Sequence, residues 1–350
     1  MQKRFVFTIH SVAGLIAGLF VLIMSLSGAA LVFHEELNRL EYPPDVGRSH
    51  GKIISPDSCF KNLQAAFPHG QISSCRLTHS NQRSFMFTVY DSSYKNGREA
   101  LNVYMHPQNG SLQKKKGADI SFASWLDRLH ATLFLGKTGE WLLGFFSIVF
   151  LVSITTGILQ YRRNVWGVLS FRKKFFRRAN IHQVVGVWAL LFNVMIGITG
   201  FWMQRYVFKK DFYQSYTYKS IVRASPTLSF SLDSALKRVN DVYPSFSPHV
   251  IYFAQTSKGK TAIYGSRSNN SFIHSKEFAD AIFLDSTGKV SQTAFVNEID
   301  ASSRYDIINA QVHYGQYGGL PVKIIYFLFG LTGGLLSITG FLLWLKRKKP

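Results

Sequence analysis

The chain has 350 residues, of which 47% are hydrophobic and 17% charged, and its 40 Lys and Arg against 19 Asp and Glu give a formal net charge of +21. It is too apolar for an ordinary soluble enzyme, and the positive excess, mapped along the chain, gathers beside apolar segments instead of forming a nucleic-acid surface. Four stretches without Asp, Glu, Lys or Arg, at 5–33, 141–161, 181–204 and 324–345, are each long enough to cross a bilayer, so an integral membrane protein with four helices is expected.

Residues 1–33 form the first expected membrane helix. Lys3 and Arg4 precede it and Gly28, Ala29 and Ala30 lie near its end, as in a signal peptide, but its apolar run far exceeds the ~7–15 residues of a signal h-region. Retention is expected. Its apolar run holds one ionisable side chain, His10. Such groups inside a bilayer segment are costly and are functional candidates by default.

Residues 34–120 read as a first external domain: a helix-like stretch at 56–67, stopped by Phe67-Pro68, then alternating strand-like runs "RSFMFTVYD" and "EALNVYMHP". Both cysteines of the chain, Cys59 and Cys75, fall here. In an oxidising compartment a disulfide is expected of them before a metal site. Residues 121–161 hold an amphipathic interfacial helix carrying His130 ("SFASWLDRLHATLFLGKTG"), followed by the second membrane helix.

A basic loop fills 162–181, with Arg162, Arg163, Arg172, Lys173, Lys174, Arg177 and Arg178 and no acidic residue. The third membrane helix is 182–204 and opens on His182. A second external domain follows at 205–312, with a helix-like stretch stopped by Tyr243-Pro244 and strand-like runs "HVIYFAQT", "KTAIYGSR" and "FADAIFLDS". A helix against a small antiparallel sheet, α+β, is the natural assembly in each external domain. Residues 313–345 carry His313 and the fourth helix, and 346–350 form a basic tail. With Lys3 and Arg4 ahead of the first helix, the positive-inside rule puts both termini and the 162–181 loop in the cytoplasm. The loop suits contact with anionic lipid head groups, or docking of an electron donor. No hydrolase constellation, zinc spacing, phosphate loop or dinucleotide fingerprint occurs.

The chain also repeats itself. "IHSVAGLIAGLFVLIMSLSGAALVF" aligns with "IHQVVGVWALLFNVMIGITGFWMQR", matching His10 to His182, Gly14 to Gly186 and Ser27-Gly28 to Thr199-Gly200. "LHATLFLGKTGEW…VSITTGILQYRR" aligns with "VHYGQYGGLPVK…LLSITGFLLWLKRK", matching His130 to His313 and Thr156-Gly157 to Thr339-Gly340. The expected fold is therefore a membrane all-α four-helix bundle, a tandem parallel repeat of two helices each, carrying two small α+β external domains. Of the eleven histidines, these four alone have histidine partners across the repeat. Topology sets His10 and His182 at one depth on the cytoplasmic side, and His130 and His313 at the outer surface. Two facing imidazoles without cysteine or carboxylate make a poor zinc site. They do complete a haem, whose macrocycle supplies four nitrogens. Gly14 and Gly186, on the faces of His10 and His182, leave room for a flat ring, though small residues also serve tight helix packing. Arg128 is a candidate propionate partner, and the aromatic run at 211–220 a candidate contact for a chelate or an interfacial anchor.

"HSVAG" at 10–14, "LDRLH" at 126–130 followed by "GKTG", "HQVVG" at 182–186, "HYGQYGG" at 313–319 and the four [ST]G pairs together resemble the PepSY-associated transmembrane proteins. That group is also known as iron-regulated membrane proteins and includes inner-membrane ferric-siderophore reductases. The resemblance spans essentially the whole chain, and the external domains look like PepSY domains. It implies a multi-pass protein of a bacterial inner membrane holding two b-type haems, with His10, His182, His130 and His313 as axial iron ligands and His34 as a possible substitute for one outer ligand. It further implies electron transfer from a cytoplasmic or quinol donor to a ferric siderophore in the periplasm, with iron released as Fe(II). The alternatives are a non-redox binding or regulatory protein whose PepSY domains restrain a protease or sense a ligand, and a proton-coupled transporter. The last would want acidic partners inside the membrane, and the four apolar stretches hold none.

Overall fold

The computed structural model describes residues 2–41, 52–77, 84–95, 99–163, 165–170, 181–212, 228–255 and 259–348. Most of the basic loop and residues 213–220 of the aromatic run lie outside the described residues. The chain divides into two compact units, one of residues 1–34, 126–217 and 309–350, the other of 35–125 and 218–308.

In chain order the elements are α1 (Gln2–Leu31), α2 (His34–Glu41), α3 (Pro56–Ala66), β1 (Gln71–Arg76), β2 (Phe85–Tyr90), β3 (Ala100–Met105), β4 (Leu112–Gly117), α4 (Phe122–Thr132), α5 (Lys137–Tyr161) and α6 (Val165–Leu169). Then come α7 (Ile181–Trp188), α8 (Leu190–Gln204), a 3-10 turn (Arg205–Phe208), α9 (Leu232–Val242), β5 (Phe246–Tyr252), β6 (Thr261–Arg267), β7 (Asp280–Leu284), β8 (Val290–Phe295), α10 (Ala301–Tyr314) and α11 (Gly319–Lys348).

The membrane unit corrects the expected four-helix bundle of tandem repeats. Among the described residues three unbroken helices are long and apolar enough to cross a bilayer: Arg4–Leu31, Lys137–Tyr161 and Gly319–Arg347. The third apolar stretch is instead a broken pair, Ile181–Trp188 and Leu190–Phe208, bent by 66°, which makes a fourth span only if the two pieces are counted as one. The break falls at Ala189, whose φ of −90° and ψ of 4° leave the helical region. The Asn193 side chain donates to the Ala189 carbonyl at 2.9 Å, the same carbonyl that receives the Asn193 backbone N–H. A side chain competing within the ladder is a recognised cause of such bends. Small residues let α1 and α11 approach: the ideal Cβ of Gly330 would lie 3.2 Å from Ala29. The Ser25 hydroxyl of α1 donates to the Gly330 carbonyl and accepts the Gly334 N–H at 2.7 Å, so it stands within the α11 ladder. Leucines on the outer surface, such as Leu19 and Leu191 at 71% and 84% exposure, suit lipid and not water.

The second unit corrects the expectation of two separate α+β domains. Its strands form one antiparallel sheet in the order β4-β3-β2-β1-β5-β6-β7-β8. The join is β1 to β5, pairing Ser74 with Tyr252, Cys75 with Ile251 and Arg76 with Val250. Either four-stranded piece alone would leave these strands as open edges, and pairing them satisfies both. Alternation places Phe85, Phe87 and Val89 of β2 on the buried face. They share one core with Leu63 of α3, Val239 of α9, Ile251, Ile263 and Ile282. Phe60 of the first segment packs on Phe253 of the second at 5.1 Å between ring centres.

The two helices on this sheet are capped reciprocally. Ser55 and Ser231 are their N-caps, accepting from Ser58 N–H and Ser234 N–H. The Asp57 carboxylate of α3 also receives the Leu232 and Asp233 N–H groups of α9, at 2.6 and 3.3 Å. Cys59 and Cys75, expected as a disulfide, are two free buried thiols. Burial, with Asp233 adding to it, pushes the Cys59 thiol up to about 12, and burial raises Cys75 well above the usual range.

Candidate functional site

The four repeated histidines sit on four different helices of the membrane unit: His10 on α1, His130 on α4, His182 on α7 and His313 on α10. Their placement follows from local chain geometry. α4 is capped by Ser121, which accepts the Ser124 N–H at 2.9 Å, and the chain then reverses tightly. Leu133 and Phe134 adopt φ of 50° and 59°, a conformation that costs non-glycine residues of order 1–3 kcal/mol each. The counterpart turn after His313 uses glycine: Gly315, Gly318 and Gly319 have φ of 64°, 67° and 69°. Asn309 anchors α10 by donating to the Thr199 carbonyl at 3.2 Å.

The structure groups the histidines into two pairs. The His10 and His182 rings lie 6.2 Å apart between centroids, with planes at 70°. The His130 and His313 rings lie 6.4 Å apart, at 48°. His34 forms part of the wall of the cavity that holds the second pair, together with Asp127 and Tyr314. Arg128 instead stacks on the Phe134 ring at 5.9 Å and is absent from that wall.

Each histidine meets a hydroxyl on another helix. His130 Nδ1 lies 2.9 Å from Ser27 Oγ, His313 Nδ1 2.9 Å from Thr199 Oγ1, His182 Nδ1 3.0 Å from Thr339 Oγ1, and His10 Nδ1 3.3 Å from Thr156 Oγ1. His10 Nδ1 is nearer still to the Ser153 carbonyl, at 2.9 Å. The glycine after each hydroxyl residue makes space for the same ring. An ideal Cβ on Gly28, Gly157, Gly200 or Gly340 would stand 2.9, 3.2, 3.1 or 3.3 Å from Cε1 of His130, His10, His313 or His182. These are the four [ST]G pairs of the sequence. Their recurrence was legible there, but nothing in the sequence joined any one of them to a particular histidine.

Each pair opens into a cavity. The cavity of His130 and His313 is ≈ 420 Å³ and includes Gly28, Gly200, Phe192 and Tyr326 in its wall. That of His10 and His182 is ≈ 680 Å³ and includes Gly14, Gly186, Tyr161 and Arg347. Both are in the size range of small-molecule sites. Val21, Phe150, Asn193 and Gly333 line both, so the two cavities share a wall. An ideal Cβ on Gly14 or Gly186 would make only ordinary contacts, at 3.9 and 3.7 Å.

The separations are close to the span that two imidazoles would have on one shared metal atom. Metal–imidazole bonds of about 2.0–2.1 Å, plus about 1.1 Å from ring nitrogen to ring centre, would put two such ring centres at most about 6.3 Å apart. Among the described residues no group of three His, Cys, Asp or Glu converges as a metal site. Each pair offers two imidazoles, a donor set that would suit a metal bringing further ligands of its own.

Apolar helices, some of them bilayer-length, and a separate antiparallel sheet unit define a membrane protein that carries a folded polar domain. The chain matches the model of the family described as the PepSY-associated TM region over residues 7–347, nearly its whole length, and it belongs to that family. No curated protein matches it significantly.

Proposed function

We propose that the protein is a dihaem b-type oxidoreductase of a bacterial inner membrane. It takes electrons on the cytoplasmic side and delivers them to a ferric siderophore in the periplasm, releasing iron as Fe(II). The observation that carries this reading is the pair of ring separations, 6.2 and 6.4 Å, each close to the span that two imidazoles would have if they held one iron between them.

His10 and His182 would hold one haem, and His130 and His313 the other. Haem supplies reversible one-electron chemistry at iron. The walls of both cavities are mostly apolar, and Phe150 and Asn193 line both, which would keep the two haems adjacent. Arg347, stacked on Phe7 at 4.2 Å, puts a cation at the cavity of His10 and His182, where it would meet a carboxylate of the bound group. Arg4, Arg162, Arg163, Lys346 and Arg347 flank the membrane helices at the ends that the positive-inside rule assigns to the cytoplasm.

An anaerobic mixing experiment tests the activity. Detergent-purified protein, reduced and freed of reductant, is mixed with a ferric siderophore and a chromogenic Fe(II) chelator. Haem reoxidation with matching Fe(II) capture is expected. A reduced protein that persists unchanged against hydroxamate, catecholate and carboxylate ferric chelates would contradict the substrate assignment. A protein that takes up no haem would favour the non-redox role in which the sheet unit binds a protein or ligand.

A further inference from the structure

We infer that Ser27, Thr156, Thr199 and Thr339 are positioning residues, each fixing one histidine in the Nδ1–H tautomer and so presenting its Nε2 lone pair for metal ligation. This rests on the haem reading for its purpose, but the tautomer assignment stands on hydrogen-bond accounting alone.

A hydroxyl has a single hydrogen to donate. In all four residues it has a carbonyl acceptor on its own helix, four positions back. Ser27 donates to Ile23 O at 2.7 Å, Thr156 to Val152 O at 2.8 Å, Thr199 to Met195 O at 2.8 Å and Thr339 to Leu335 O at 2.7 Å. With its hydrogen committed, each oxygen can only accept from the imidazole. Nδ1 must then be the protonated nitrogen, and Nε2 carries the lone pair.

Backbone groups agree, because a carbonyl can only accept. His10 Nδ1 faces the Ser153 carbonyl at 2.9 Å. The backbone of Met24 and of Leu336 favours the protonated ring of His130 and His182 in the same way, as an acceptor would. Ser153, Met24 and Leu336 each lie three positions before the hydroxyl residue concerned. One turn of helix therefore offers a hydroxyl to every one of the four rings and an i−3 carbonyl beside it to three of them, His10, His130 and His182, and the next residue is the glycine that admits Cε1. The [ST]G pair is a socket for one imidazole edge.

Metal-bound histidines characteristically donate their other N–H to such a partner, which fixes ring orientation and raises ligand basicity. Removing the acceptor should weaken the ligand without removing it. Thr339→Val keeps the shape and deletes the acceptor, whereas Thr339→Ser keeps the acceptor. We expect T339V to bind haem at the His10–His182 site about 10–100-fold more weakly and to raise the midpoint potential of that site, while T339S behaves as wild type and the other site is unchanged in both. Wild-type affinity and potential in T339V would overturn the positioning role.

A second measurement does not need the cofactor. In haem-free protein the ¹⁵N shifts of labelled histidine report the tautomer directly, and Nδ1–H with an unprotonated Nε2 is expected at all four rings. Nε2–H at these rings would overturn the inference. The expected tautomers in a protein that never takes up haem would leave the inference intact and defeat only the proposed function.

Discussion

Thr199 and His313 stand 114 positions apart in the chain and 2.9 Å apart in space. The Thr199 hydroxyl also has the Met195 carbonyl as an acceptor at 2.8 Å, so in the tautomer inferred above the ring N–H donates to the hydroxyl oxygen. Ser27 and His130 repeat it at the same 2.9 Å. The same short sequence device therefore meets both histidines of this pair, and any change to it should act on one histidine pair at a time.

Gly28 gives the sharpest steric test. Gly28→Ala would bring a methyl to 2.9 Å from His130 Cε1, a clash relieved only by moving the ring, at a cost of about 1–3 kcal/mol. Haem is expected to be lost from the His130–His313 site and retained at the other. Gly186→Leu should do the reverse, because its side chain has room in the chain but enters the cavity of His10 and His182. Haem content and redox titration of each variant check both. Equal loss from both sites in either variant would contradict the separate-site arrangement.

The helix caps of the sheet unit predict a local stability effect. Asp57→Ala removes the carboxylate that receives two N–H groups of α9, at a cost of about 0.5–2 kcal/mol. Hydrogen exchange should rise across 232–242 before it rises in β2 or β3. Unchanged protection at that helix would show that the cap contributes nothing.

Free cysteines carry a simple prediction. Cys59 and Cys75 are buried with thiols pushed above their ordinary range, so little thiolate exists at neutral pH. A maleimide should label neither in the native protein and both after denaturation without reductant. Failure to label the denatured chain would reveal a disulfide instead.

Acid should weaken the sheet unit. Hydrogen bonds from Ser93 hold Asp91 below its ordinary value against its desolvation. Burial pushes Asp119 up, but hydrogen bonds from Lys95 and Tyr94 outweigh it and leave Asp119 low. A depressed carboxylate stabilises the fold above the unfolded value of about 3.9 and loses that contribution as pH falls through the folded value. The contribution of these two carboxylates to the urea midpoint of this unit should thus be lost below about pH 4. Asp119→Asn should shrink that loss, and an unchanged pH profile in that variant would exclude the Lys95–Tyr94–Asp119 cluster as a source.

Several features were legible in the sequence because they depend on local or repeated signals. Apolar length marked the segments that become α1, α5, α7–α8 and α11, and helix-like stretches ending before proline marked α3 and α9, although their serine caps went unread. Recurrence singled out His10, His182, His130 and His313, and separately the [ST]G pairs. Pairing information was missing. The contact between His182 and Thr339 spans 157 positions, and no periodicity encodes it. The β1–β5 join unites two segments whose own patterns are each complete, so two domains were expected where one sheet formed. The bend at Ala189 needs no proline; it comes from the Asn193 amide, which a hydropathy pattern reads merely as a polar residue on an apolar helix.

The most direct test of the central claim is a haem count on purified His182→Ala beside wild type, made by pyridine haemochrome after expression with ample haem. Two haems per chain with low-spin b-type spectra in wild type, and one in the variant with the His130–His313 site spectrally intact, is the predicted result. A wild-type protein without haem, or a variant that keeps both haems, would contradict the account.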